Sequence, residues 1–360
     1  MIDPHVHLRD WLQVSKETVK NGLKTAQDIG LDGVFEMPNT DPVITSAEAI
    51  QDRIDLGNEM IGDLGIEMFH GIYGGVTDSV KQIEEIVEAQ RENDRVVALK
   101  MFAGHSTGNM GLIEGKDQRQ VYKTLAELGY KGVLAVHCEK ESKLRVELWD
   151  PKESFTHTIA RPPESEIESV KDQLKFAHQE GYKGTLHICH LSVPDSLEVI
   201  ERARKKAKFK ITTEVAPHHV VMYDELMDKL LGYFLKMNPP LRPKYMQESM
   251  LQALLDGRID MIGTDHAPHT SDDKKKDYAS GIPGFPYYPY FIEFLKQKGM
   301  SKERLDAVTH DNIVKTFEVD IPNTHRVRAM DKKELNELAI RYEYDGFEYV
   351  RNLISERKDI

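Results

Sequence analysis

Eight short runs of β-forming residues alternate with amphipathic stretches from residue 2 to about residue 315, and this alternation constrains the fold more than any other feature of the chain. The runs are Ile2–Leu8, Gly33–Pro38, Ile66–Tyr73, Val96–Phe102, Val133–Cys138, Thr185–Leu191, Lys210–Ala216 and Asp260–Asp265. Between them lie helical patterns such as Ser79–Arg91, where Val80, Ile83, Ile86 and Val87 share one face, and Asp117–Leu128, Glu166–Gln179, Ser196–Lys208 and Pro243–Leu255. Strands separated by helices predict a parallel sheet with helical crossovers. Eight such units predict a closed (β/α)₈ TIM barrel rather than an open sheet. No Gly-X-Gly-X-X-Gly follows the first run, so a dinucleotide fold has no support. The barrel is expected over residues 1–330. Residues 331–360 read as a C-terminal helical extension, with Leu335, Leu338, Tyr342, Tyr349 and Leu353 at helical spacing, packed on the outside or forming a subunit contact.

A formal charge of −12 argues against a nucleic-acid or anionic-membrane partner, although a pocket can still gather cations around an acidic substrate. The two cysteines, Cys138 and Cys189, cannot make a disulfide framework and point to a reducing compartment. No run approaches the roughly 18 apolar residues of a membrane span. Strand-like sequence begins at residue 2, which leaves no room for a leader peptide, so a cytoplasmic protein is expected.

The chemistry stands at the predicted strand ends. His5, His7 and Arg9 alternate along the first run and would share one face of a strand. Lys100 interrupts the apolar run Ala-Leu-Lys-Met-Phe, His137 and His190 close the fifth and sixth runs, and Asp265 closes the eighth. Barrel enzymes draw their catalytic groups from the C-terminal ends of several strands. A lysine in apolar surroundings is readily neutral, and a neutral amine can add CO₂ to become a carbamate with two oxygens for two metals. Two divalent ions are therefore expected, with carboxylated Lys100 bridging them. His5, His7 and Asp265 would hold one, and His137 and His190 the other. Zn²⁺ suits this nitrogen and oxygen set.

The alternation of a strand places Cys138 and Cys189 one residue from a proposed ligand, hence on the opposite face, as small core residues. By the same rule His187 faces away from His190 as a core or supporting histidine. His70 and His105 can approach the site without being required there. His218, His219 and Glu214 are candidates for orienting the ligands. The small-residue loop Gly104–Gly115 reads as a lid over the barrel mouth, and the charged stretch Asp272–Asp277 as a solvated face.

The chain resembles the dihydroorotases of the amidohydrolase superfamily from residue 2 to about residue 317. The resemblance rests on Asp-Pro-His-Val-His-Leu-Arg (3–9), Met-Pro-Asn-Thr (37–40), Leu-Lys-Met-Phe (99–102), His-Cys-Glu (137–139) and His-Leu-Ser (190–192). It continues in Glu-Val-Ala-Pro-His-His (214–219), Lys-Met-Asn-Pro-Pro-Leu-Arg (236–242), Gly-Thr-Asp-His-Ala-Pro-His (263–269), Pro-Gly-Phe (283–285) and His-Asp-Asn (310–312). The resemblance implies metal-ligand roles for His5, His7, Lys100, His137, His190 and Asp265, with Lys100 at the carboxylated position. It implies that Arg9, Asn39 and His269 hold the substrate carboxylate, and that Asn238 and the backbone at Pro283 and Gly284 line the ring pocket. Ser106 and Thr107 fall on a flexible loop that closes over substrate. The implied reaction is reversible conversion of dihydroorotate to N-carbamoyl-L-aspartate in pyrimidine biosynthesis, with Asp265 as the proton carrier.

Allantoinases, hydantoinases and dihydropyrimidinases share the metal set, but Arg9 with Asn39 favours a carboxylate-bearing ring. Relatives usually carry a small β-sandwich flanking the barrel, and here it is expected to be absent, as a barrel-only lineage or a sequence trimmed at its start. Some relatives work docked to aspartate transcarbamoylase. Such a partner, a homodimer, or a catalytically silent scaffold role are the corresponding expectations.

Overall fold

A computed structural model describes residues 1–106, 108–228, 232–324, 330, 332–344 and 346. Thr107, Tyr349 and Leu353 therefore lie outside the described residues. The strands are β1 (Ile2–Val6), β2 (Gly33–Glu36), β3 (Phe69–Gly75), β4 (Val96–Ala103), β5 (Val133–Cys138), β6 (Thr185–Ile188), β7 (Lys210–Val215) and β8 (Met261–Ile262). They form one parallel sheet in chain order. The ring closes between its last and first members through a parallel bridge from Val6 to His266, where the His7 amide donates to the His266 carbonyl at 2.7 Å. Eight strands leave an interior just wide enough for side chains to fill.

Alternation along each strand divides the apolar residues into two cores. Val34, Ile72, Leu99, Met101, Leu134, Val136, Leu186, Ile188, Val215 and Ile262 face outward, onto helices such as Val80–Glu92, Gly115–Glu127, Pro163–Gln179, Pro194–Arg204 and Lys244–Leu255. Ile2, Phe35, Met37, Tyr73, Ala98, Val133, Ala135 and Met261 face inward. Below them Ile313 and Phe317, from the helix Asn312–Phe317, close the bottom of the barrel. The Phe317 ring lies edge-on to Phe35 at 5.1 Å and to Tyr73 at 6.1 Å. A sealed bottom leaves the C-terminal end of the strands as the open face.

Several strands are shorter than periodicity predicts, and the reason is local. β6 stops at Ile188 and β8 at Ile262, and His190 and Asp265 then adopt positive φ angles of 32° and 50°. Left-handed backbone cannot continue a ladder, so both residues stand on turns. The turn at His190 inverts the facing expected of its neighbours. His187 and Cys189 point into the barrel, His187 at 3.0 Å from the Thr212 hydroxyl and Cys189 Sγ at 3.1 Å from Lys100 Nζ. Arg9 likewise reaches the cavity on a left-handed turn (φ 57°) and not by strand alternation. His70 lies on the outer face of β3 against Glu36 at 2.9 Å, away from the open end.

The C-terminal segment contains a helix, Lys332–Ala339, and then returns to the barrel rim. The Tyr342 hydroxyl donates to Glu17 at 2.8 Å, and that of Tyr344 to the Gly281 carbonyl at 3.1 Å. No helix among the described residues is long and apolar enough to cross a membrane.

Candidate active site

At the open end lies a narrow cavity of about 30 Å³, lined by His5, His7, Arg9, Asn39, Phe102, Ser106, His137, His190, Met237, Asn238, Asp265, Ala267, Ser280 and Gly281. Groups from opposite ends of the chain meet there. His7 Nε2 is 3.0 Å and His5 Nε2 3.4 Å from Asp265 Oδ1, and one ligand atom from each of the three lies within 4.8 Å of the others. Across the cavity His137 Nδ1 faces His190 Nε2 at 3.1 Å, and the His5 and His190 rings are 5.2 Å apart. Lys100 projects from β4 on the same face as Phe102 and is fully buried.

His5, His7 and His137 are each turned by a partner behind the ring. Glu214 Oε1 accepts from His5 Nδ1 at 2.8 Å and from the His190 amide at 3.1 Å, while its other oxygen lies 3.4 Å from His187 Nε2. Asn39 Oδ1 accepts from His7 Nδ1 at 2.7 Å. Glu139 Oε2 accepts from His137 Nε2 at 3.1 Å. Glu139 is in turn gripped by Arg161, whose Nη2 reaches it at 2.7 Å and also donates to the His105 carbonyl at 2.5 Å. Glu139 stands two positions after His137, one residue past the end of β5, so strand alternation carried one step further identifies it as a same-face neighbour. Arg161, 22 residues further on, carries no such signal.

This wiring tests whether the residues fit metal ions. With the proton-bearing nitrogens given to Glu214, Asn39 and Glu139, the other nitrogens of His5 and His7 aim lone pairs at a carboxylate. That of His137 aims at another imidazole. Acceptor facing acceptor is repulsive unless a cation or a proton lies between them. His190 Nδ1 has no partner among the described residues, and the only hydrogen-bond partner of the buried Lys100 ammonium among them is a thiol. Burial lowers His7 to about 4 despite its contact with Asp265, and His190 and His137 also fall below the usual imidazole value. Burial opposes ionisation of Asp265, but the adjacent His5 and His7 hold it well below the usual carboxylate range. For His5, burial is outweighed by Glu214, with help from Asp265, and the ring is lifted to about 10; a cation at Nε2 would replace that proton. Neutral imidazoles and an ionised carboxylate are the donor forms that metals require, so the set fits.

One wall of the cavity concerns substrate. Arg9 is buried, its Nε donating to the Pro268 carbonyl at 3.1 Å and its Nη2 3.2 Å from His269 Nε2. Asn39 lies in the same wall, while His269 stands behind Arg9. Asn238 lines the cavity and accepts from His157 Nε2 at 3.1 Å. The expectation for Pro283 and Gly284 needs correction. The Gly284 amide donates to His266 Nδ1 at 3.0 Å, behind the wall, and the backbone at the cavity belongs to Ser280 and Gly281. Ser106 lines the mouth as expected. His218 and His219 are buried 4.3 Å apart, with ring nitrogens that make no hydrogen bond among the described residues. The stretch Asp272–Asp277 is not simply a solvated face, because Lys274 within it is fully buried.

No protein-family model matches the chain. The dihydroorotase of Methanosarcina mazei is 30% identical over 336 residues, covering 89% of this chain and 70% of the relative. That of Lactobacillus gasseri is 31% identical over 331 residues, covering 89% and 73%. Among solved structures, L-hydantoinase (dihydropyrimidinase) from Arthrobacter aurescens superposes with a TM-score of 0.76 at 22% identity, over 88% of this chain and 70% of that one. Dihydroorotase from Saccharomyces cerevisiae in complex with 5-fluoroorotic acid gives 0.70 at 17% identity, over 89% and 84%. At such identities the superpositions speak to the barrel alone, whereas the sequence relatives reach further: the chain belongs to the dihydroorotase family of metal-dependent amidohydrolases.

Proposed function

We propose that this protein catalyses the reversible hydrolysis of the cyclic amide of (S)-dihydroorotate to N-carbamoyl-L-aspartate. The observation that carries the reading is the convergence on one cavity of four imidazoles, an ionised carboxylate and a buried arginine, with the buried Lys100 on the inward face of β4 behind its lining. His5, His7 and Asp265 would hold one divalent ion and His137 and His190 a second. Lys100, having added CO₂ and lost a proton, would offer a carbamate oxygen to each. Zn²⁺ matches this donor set. Such ions supply, when bound, an acidified water and a polarised amide carbonyl.

The rest of the chemistry falls to the chain. Asp265 takes the proton of the attacking water and passes it to the leaving ring nitrogen. Its position between His5 and His7 keeps it ionised at neutral pH and ready to accept. Arg9 matches a carboxylate with its planar fork, and Asn39, which also orients His7, stands beside it. His269, lowered by burial to about 3, is a neutral partner that leaves the charge recognition to Arg9. Holding the ring carboxylate fixes the scissile amide against the nucleophile, which removes the entropy cost of finding it. Glu214 and Glu139 keep the histidines in one tautomer, as supporting carboxylates do in metal sites.

The experiment is metal analysis alongside an ultraviolet assay of dihydroorotate ring opening, with and without bicarbonate. About two ions per chain and bicarbonate-sensitive turnover are expected. Turnover indifferent to exhaustive chelation would refute the reading.

A further inference from the structure

Lys274 is the first of the three consecutive lysines in the run Asp-Asp-Lys-Lys-Lys-Asp (272–277), yet it is fully buried. Its ammonium donates to three backbone carbonyls: Lys236 at 2.9 Å, Ala279 at 2.8 Å and Gly281 at 2.9 Å. Three N–H donors meeting three acceptors satisfy the group completely without a carboxylate in contact. Burying a charge costs free energy that only its hydrogen bonds offset.

The three carbonyls belong to two segments that build one wall of the cavity. Lys236 precedes Met237 and Asn238, and Ala279 precedes Ser280 and Gly281; the last two of each pair line the cavity. The segments also meet directly, since the Gly281 amide donates to the same Lys236 carbonyl at 2.9 Å and the Ser280 hydroxyl lies 3.3 Å from Asn238 Oδ1. Displacing them would carry further. The Ser280 carbonyl is 3.0 Å from His269 Nε2, and His269 backs Arg9. Tyr344 adds a neutral donor to the Gly281 carbonyl at 3.1 Å.

We propose that Lys274 is a positioning residue for substrate: its ammonium clamps the 236–238 and 279–281 segments into the wall against which Arg9 presents its charge, and so tunes the pocket for a carboxylate-bearing ring. This rests on the dihydroorotase reading but makes a separate claim about how the pocket is held. Burial, reinforced by Lys236 and Arg9 and opposed by Asp273, holds Lys274 well below the usual lysine value, so its charged form depends on the three carbonyls that accept from it.

The test is Lys274→Met, which keeps the stem and removes the ammonium. KM for dihydroorotate should rise about tenfold with kcat within about threefold, the pattern of lost binding rather than lost chemistry. The preference for dihydroorotate over uncharged dihydrouracil, as a ratio of kcat/KM, should fall about tenfold with metal content unchanged. Exchange of the Gly281 amide should quicken about tenfold, a readout that needs no substrate. A structural defect alone would lower kcat on both rings together and leave the preference intact, and that result would overturn the proposal, as would unchanged KM and exchange. If Lys274→Met does not fold, Tyr344→Phe serves: KM should rise about twofold, and no change in KM or exchange would overturn the proposal. Failure of the unaltered protein to open dihydroorotate would count against the functional reading. The exchange measurement would still decide the clamp, faster exchange supporting it and unchanged exchange rejecting it.

Discussion

Two buried clusters of charge occupy opposite faces of the same sheet, and they differ in how their charges are answered. On the outer face, Glu36 of β2 takes Arg53 through both carboxylate oxygens and His70 at 2.9 Å. Arg53 also donates to the Arg9 carbonyl at 2.7 Å. Gly57 makes room for this cluster, since a Cβ there would stand 2.0 Å from His70 Nδ1. On the inner face, His5, His7 and His137 turn lone pairs toward acceptors, and Lys100 has no carboxylate in contact among the described residues. The ingredients are the same: carboxylate, imidazole and cation. In the outer cluster opposite charges close on each other, and the product is structure. In the inner cluster Glu214, Asn39 and Glu139 take one nitrogen each of His5, His7 and His137, and the other nitrogens converge with Asp265 as a donor set that fits cations.

Substitutions can break this contrast at several points. Asp265→Asn should have the largest effect, cutting kcat by about 10²–10⁴-fold while the far-ultraviolet spectrum stays unchanged. Retained turnover would dismiss Asp265 as proton carrier. Glu36→Gln strikes the outer cluster and should cost about 3–5 kcal/mol in chemical denaturation, because Arg53 is left buried without its counter-charge. Its metal content should not change. Arg9→Gln should raise KM for dihydroorotate about 10–100-fold and leave dihydrouracil almost untouched, as expected for a lost charged hydrogen bond. Glu214→Gln loosens the support of His5, together with the contacts to the His190 amide and His187, and should weaken metal affinity about 10–100-fold in a chelator competition.

The pH dependence of stability separates the clusters further. Burial would raise Glu36, but Arg53 and His70 lower it from 4.5 to about 2. A carboxylate depressed in the folded state contributes stability that is full above pH 4.5 and is lost as pH falls toward 2. Glu36→Gln should therefore flatten the acid limb of the stability profile between those values, and an unchanged limb would mean that the pair does not govern acid unfolding.

Much of the site was legible before any coordinates. The six proposed ligands stand at the ends of runs whose alternation with helices already specified a barrel, and a barrel brings strand ends to one rim. Arg9 and Asn39 were legible from the same motifs. What was missed shares a physical cause. The facing of Cys189 and His187 was read by counting along a strand that ends at Ile188, and the positive φ of His190 cannot be seen in a side-chain pattern. Gly281 and Ser280 took the place assigned to Gly284 and Pro283 because His266, stacked on Phe285 at 4.0 Å, claims the Gly284 amide. Arg161 and Lys274 are ordinary charged residues by composition, and only their burial against Glu139 and three carbonyls separates them from their exposed neighbours.

The order of residues alone determined the period of the strands and helices, the count of eight units, and which chemical groups stand where each unit ends. These are local properties, set by side-chain spacing and backbone propensity. The tertiary structure decided which carboxylate stands behind which imidazole, which cations are left without a carboxylate, and which loop backbone forms the pocket wall. Those are long-range pairings, such as His5 with Glu214 across 209 positions, and no spacing rule encodes them, because they exist only once the sheet has closed on itself.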